Sequence, residues 1–96
     1  MKFLHCFDEF GYRRQYINHC IIPLYKIKSL YLELGCLKLK TYDEEICVTP
    51  WVRSEDGIDL DIYLSELMKM IKRAPEWSTI CCYDEEGKID LFIEGD

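Results

Sequence analysis

The sequence predicts an α+β domain in which a mainly antiparallel β-sheet of about five to seven strands packs on one long helix in the C-terminal half. Three observations carry this expectation. Short β-branched and aromatic runs recur between Asp- and Gly-bearing turns. One stretch, 60–74, spaces its apolar residues for a helix. No strand–helix–strand alternation with a glycine-rich turn occurs, which argues against a nucleotide-binding α/β fold. The 96 residues suit one domain, 1–96, and 49% hydrophobic with 31% charged residues is a globular composition.

Three segments share an aromatic residue followed by Asp-Glu: Phe7-Asp8-Glu9, Tyr42-Asp43-Glu44 and Tyr83-Asp84-Glu85. Asp starts turns because its side chain bonds the backbone two residues on. We therefore expect three hairpin turns, each bearing carboxylates. The first joins strands at 2–7 and 12–18, and Pro23 ends the second strand or begins a turn.

A second hairpin is centred on Gly35-Cys36, with Leu32 facing Leu39 and Glu33 facing Lys38. Ile27, Leu30, Tyr31 and Leu34 also fit helical spacing, so a helix over 24–34 competes with a strand at 29–34. Alternation through Lys38 to Thr41 favours strand at 36–42. Residues 46–52 read as a strand whose Pro50 requires an edge or a bulge. Arg53–Ile58 is the longest polar connection.

The helix at 60–74 has Asp59 as its cap and Asp61 in its first turn, where the helix dipole favours negative charge. Leu60, Tyr63, Leu64, Leu67 and Ile71 make one apolar stripe. Lys69, Lys72 and Arg73 suit the last turns, and Pro75 stops the helix. The final hairpin pairs Asp84 with Lys88, which sets Tyr83 opposite Ile89, Cys81 opposite Leu91 and Thr79 opposite Ile93. Trp77 is expected to cover one end of the core.

Charge narrows function. The net charge is −6, distributed as +4 over residues 1–40 and −10 over residues 41–96. An acidic chain is a poor binder of nucleic-acid backbones. No run approaches the roughly 20 apolar residues of a membrane span, and Asp8 interrupts any signal-peptide core. A cytoplasmic location follows as the expectation. The six cysteines sit mostly in apolar strand-like runs, where reduced thiols pack as small hydrophobes. No C-x-x-C spacing signals a redox pair or a zinc knuckle.

Catalytic constellations are weak. His5 and His19 each precede a cysteine, and strand neighbours point to opposite faces. A Cys-His nucleophile would need His5 with Cys20, or His19 with Cys6, and a zinc site built from His5, Cys6, His19 and Cys20 has no close ligand pair in its spacing. The vicinal Cys81-Cys82 pair reads as two packed thiols. The carboxylates lie in turns and at the helix start, where solvation and capping explain them, and no calcium-loop pattern is present. No catalytic residue, metal or cofactor is expected.

Aromatic residues ringed by carboxylates suit contact with a basic protein. The expected function is therefore a small acidic protein-binding inhibitor, of the kind that bacterial immunity proteins against basic nuclease toxins exemplify. The expected contacts are Tyr42, Asp43, Glu44, Glu45, Trp51, Tyr83, Asp84, Glu85 and Glu86. Two alternatives stand beside it: a phage-encoded nucleic-acid mimic or secretion chaperone, and a small Cys/His-dependent enzyme or ligand-binding domain. A homodimer is compatible with each.

Overall fold

A computed structural model of the chain describes residues 1–9, 17–49, 57–86 and 88–95, with the backbone alone at 7–9 and 17–19. Two sheets and one helix make the α+β fold. Among the described residues there are seven strands: β1 (Phe3–Glu9), β2 (Ile17–Pro23), β3 (Ser29–Glu33), β4 (Cys36–Lys40), β5 (Glu45–Cys47), β6 (Thr79–Tyr83) and β7 (Ile89–Glu94). They divide into a four-stranded sheet, ordered β2-β1-β6-β7, and a three-stranded sheet, ordered β3-β4-β5. Helix α1 spans Leu60–Arg73.

Antiparallel pairing of β1 with β2 sets Leu4 against Ile22 and Cys6 against Cys20. Strand β1 runs on to Glu9, so Asp8 and Glu9 belong to the ladder and not to the expected turn. Strand β2 spans Ile17–Pro23, and residues 12–16 of the expected strand lie outside the described residues. A 3₁₀ turn over Leu24–Lys26 follows, and 29–33 is a strand, which settles the competition with helix. Residues 50–56, including Pro50, lie outside the described residues.

The β3–β4 hairpin departs from its expected register by two residues. Leu32 pairs with Leu37 and Tyr31 with Lys38. The central turn residues are Leu34 and Gly35, with φ of 49° and 75°. Positive φ at both matches the twist of the flanking strands, as in a type I′ turn. A shift of two preserves every face, so the leucines remain inside. Leu37 and Leu39 are buried, and Lys38 still reaches Glu33 at 3.7 Å and Glu45 at 3.4 Å.

The β6–β7 hairpin keeps Tyr83 opposite Ile89, and then slips. Cys81 faces Phe92 and Ile80 faces Ile93. Two residues, Asp90 and Leu91, therefore oppose Cys82 alone, which is a β-bulge. The bulge leaves backbone carbonyls short of ladder partners. Tyr63 of α1 answers them, its hydroxyl lying 2.6 Å from the Asp90 carbonyl and 3.2 Å from that of Cys82. The helical stripe thus contributes a hydrogen bond as well as apolar area.

Helix α1 has the expected ends. Asp59 Oδ1 accepts from the Asp61 and Ile62 amides at 2.9 and 3.2 Å. Ala74 is the C-cap, and Pro75 follows. Leu67 is fully buried among Leu4, Leu37, Leu39, Ile46, Val48 and Ile80, so both sheets and the helix share one core. Trp77 does not cover that core; it is 69% exposed with φ of 66°. The reason is a tight turn after the helix. The Ser78 amide and hydroxyl both donate to the Pro75 carbonyl, at 3.3 and 2.6 Å, which takes Ser78 inside and turns Trp77 outward.

The two halves of the chain meet where β1 runs parallel to β6, pairing Leu4 with Ile80 and His5 with Cys81. The Phe3 amide donates to the Ser78 carbonyl at 3.0 Å and the Trp77 amide to the Met1 carbonyl at 2.9 Å. These bonds extend the junction beyond the ladder.

Two outcomes follow from these contacts. Tyr63→Phe strands the carbonyls at the bulge and is expected to lower unfolding free energy by about 1–3 kcal/mol in a urea titration. Leu34→Asn should act in the opposite direction. Asn tolerates positive φ where Leu strains, so the urea midpoint should rise, by about 1 kcal/mol of stability.

Candidate functional site

The β4–β5 connection is built by a threonine. The Thr41 hydroxyl accepts from the amides of Asp43 and Glu44, at 3.3 and 3.2 Å, and the Thr41 amide donates to the Glu44 carbonyl at 2.9 Å. Because Thr41 supplies the turn's hydrogen bonds, the expected role of Asp43 as turn former passes to its neighbour. The Asp43 and Glu44 side chains stand exposed. Tyr42 is 81% exposed, and the Lys28 ammonium lies 5.7 Å from its ring centroid. That distance is within reach of a cation–π attraction.

This turn lies beside the end of β2. Between them is an open groove of about 390 Å³, lined by Ile21, Pro23 and Tyr25 on one side and Tyr42, Asp43 and Glu44 on the other. Ile21 and Tyr25 are exposed large side chains, as Tyr42 is. Lys26 also lines the groove, so its electrostatic field is mixed and its acidic edge is the Asp43–Glu44 side.

Glu45 has a different position. Its carboxylate is held below the usual range, first by the Tyr31 hydroxyl and then by Lys38. It belongs to the charged outer surface of the three-stranded sheet. Trp51 lies outside the described residues.

The second expected turn is an Asp-built turn. Asp84 Oδ1 accepts from the amides of Glu86 and Lys88, both at 2.9 Å. Glu85 and Glu86 are exposed, and Glu86 pairs with Lys88 at 3.4 Å. Tyr83, in contrast, is only 6% exposed, and its hydroxyl shares a hydrogen bond with His5 Nε2. It offers little contact area to a partner.

The fold does not bring the two turns together. Strand β6 runs parallel to β1, so the turn after Tyr83 lies toward the Glu9 end of β1. The Tyr42 groove abuts Cys20–Pro23, and Pro23 pairs with Phe3 at the opposite end of β1. Strands β2 and β7 are also opposite edges of the sheet. The carboxylates thus form two separate patches.

Cysteine chemistry follows burial. Cys6 is in the core and Cys20 packs against it, whereas His5 lies on the other face with Tyr83. The side chain of His19 is outside the described residues. Burial pushes the Cys82 thiol up to about 12. Cys81 is pushed up to about 11, by burial first and then by Glu94, which accepts from its Sγ at 3.4 Å. A thiolate nucleophile needs a lowered value. Among the described residues, no group of three His, Cys, Asp or Glu side chains converges as a metal site requires. No helix among them is long and apolar enough to cross a membrane.

The raised values fix the sign of an alkaline effect. Below pH 9 the Cys82 thiol is protonated in both the folded and unfolded chain. Between 9 and about 12 the unfolded chain loses its proton first, so folding loses stability as pH rises. Tyr83 acts in the same direction, burial pushing its phenol from 10 to about 12. The melting temperature should fall from pH 9 to 11, and Cys82→Ala should flatten that fall.

Comparison with protein-family models, with curated proteins and with solved structures finds no match for this chain.

Proposed function

We propose that the chain is a small acidic protein-binding inhibitor that docks a basic protein partner through the Tyr42 groove, as an immunity protein docks a nuclease-type toxin. One observation carries the reading. The exposed Tyr42 ring already receives a lysine ammonium on its face, beside two carboxylates that the turn does not use. An arginine or lysine from a partner would meet the same chemistry: a ring face, the Asp43 and Glu44 carboxylates, and apolar area from Ile21 and Tyr25. Exposed aromatic anchors of this kind carry much of the energy in protein interfaces. The raised thiol values of Cys81 and Cys82 fit a scaffold better than a cysteine nucleophile.

The test is capture from lysate of the source cell, at low and moderate salt, with the wild type and a Tyr42→Ala/Asp43→Asn/Glu44→Gln variant. All three side chains are exposed, so the variant should melt with the wild type. The expected result is a stoichiometric basic protein held by the wild type and weakened at least about tenfold in the variant, the loss of one anchor's worth of contact. Equal capture by both proteins, or none by either, would discard this surface.

A further inference from the structure

At the β7 edge of the four-stranded sheet, away from the Tyr42 groove, a second, shallow and open groove of about 310 Å³ lies between α1 and β7. Its apolar and aromatic lining is Ile58, Ile62, Tyr63, Ile89 and Leu91, and its carboxylates are Asp59, Glu66 and Asp90. Among the described residues, no lysine or arginine lines it. Its residues come from one helix face and a strand more than 20 positions later, so no local pattern in the sequence joins them.

Ile62 is the informative residue. It lies off the buried stripe of α1 and is 62% exposed. Two of the carboxylates are fixed in place by backbone amides. Asp59 accepts from Asp61 and Ile62, and Asp90 Oδ1 accepts from the Leu91 amide at 2.8 Å. Glu66 is met only from its own helix, by Lys69 at 3.3 Å. The surface is thus apolar at its centre and negative around it, with two of its charges preorganised.

The manner of docking is constrained as well. The bulge at Asp90–Leu91 interrupts the regular ladder of this edge strand, and bulged edges resist strand addition. An occupant must therefore engage through its side chains.

We propose that this groove docks a basic segment of a partner protein. The segment inserts one aliphatic or aromatic side chain against Ile62, Ile89 and Leu91 and sets lysines or arginines over Asp59, Glu66 and Asp90. Charge complementarity selects this occupant, since the charged side chains lining the groove among the described residues are Asp59, Glu66 and Asp90, and a lysine, Lys69, already meets one of them. The inference is independent of the Tyr42 reading, because the residues are different and lie at the other edge of the sheet.

The test uses an acetylated, amidated Lys-Arg-Leu-Leu-Arg-Lys peptide and the full chain, followed by amide chemical shifts. The control peptide replaces each basic residue with glutamate. Saturable shifts confined to 58–66 and 89–91, weakening with salt and absent with the control, are expected. Ile62→Lys, at an exposed position of α1, and Glu66→Gln, which removes the charge and loses only the surface pair with Lys69, should each weaken binding about tenfold with little change in melting temperature. Shifts centred on Tyr42, equal binding of the acidic peptide, or unchanged binding by both variants would overturn the proposal. So would concentration-dependent shifts at these residues without peptide, which would assign the groove to a second copy of the chain.

Discussion

The short parallel pairing of β1 with β6 is the constraint on which the rest of the structure depends. It joins residues more than 70 positions apart and turns two separate hairpins into one four-stranded sheet. Leu4 and Ile80 meet there, and both pack in the core with Leu67 of the helix. On the opposite face, His5 and Tyr83 hold the same two strands together. Backbone bonds from Phe3 and Trp77 close the end of the junction. Parallel pairs need long connections. Here the connection contains the three-stranded sheet and the helix, and both pack back onto the junction through Leu37, Leu39, Ile46 and Leu67.

This junction also decides which surfaces are available. It fixes β2 and β7 as opposite edges, so the Tyr42 turn and the Asp84–Glu86 turn cannot form one contact face. Each edge instead has its own groove. Beside β2, aromatic rings and the Asp43–Glu44 carboxylates share the surface with Lys26 and Lys28. Beside β7, the described lining carries Asp59, Glu66 and Asp90 around aliphatic side chains. The −10 carried by residues 41–96 is therefore not concentrated in one face: Asp43 and Glu44 stand beside β2, Asp59, Glu66 and Asp90 beside β7, and Asp84–Glu86 in the β6–β7 turn.

Local signals were legible in the sequence and long-range ones were not. The cap at Asp59, the apolar stripe and the stop at Pro75 lie within one element, and each is where the residue types require it. The β3–β4 hairpin kept its faces because a slip of two leaves side chains where they were. Its turn lies one residue before the expected Gly35-Cys36 because Leu34 adopts a positive φ that its side chain disfavours. The bulge at Asp90–Leu91 is bonded by Tyr63, a residue on another element, so the pairing pattern of the hairpin alone does not show it.

The candidate site divides in the same way. Tyr42 and Tyr83 begin near-identical segments, yet one is exposed and the other buried. The difference lies in their neighbours. Tyr83 ends a strand that pairs on both sides, whereas Tyr42 sits in a turn beyond the end of β4. Trp77 was expected inside, but Ser78 takes that position through its bonds to Pro75.

The most direct measurement replaces Tyr42 with a photo-crosslinking phenylalanine analogue in the cells that make the protein. The account requires a single crosslinked product with a basic protein, lost when Asp43 and Glu44 are both changed to lysine. A product formed only between copies of the chain, or no product in cells where the protein is abundant, would contradict it.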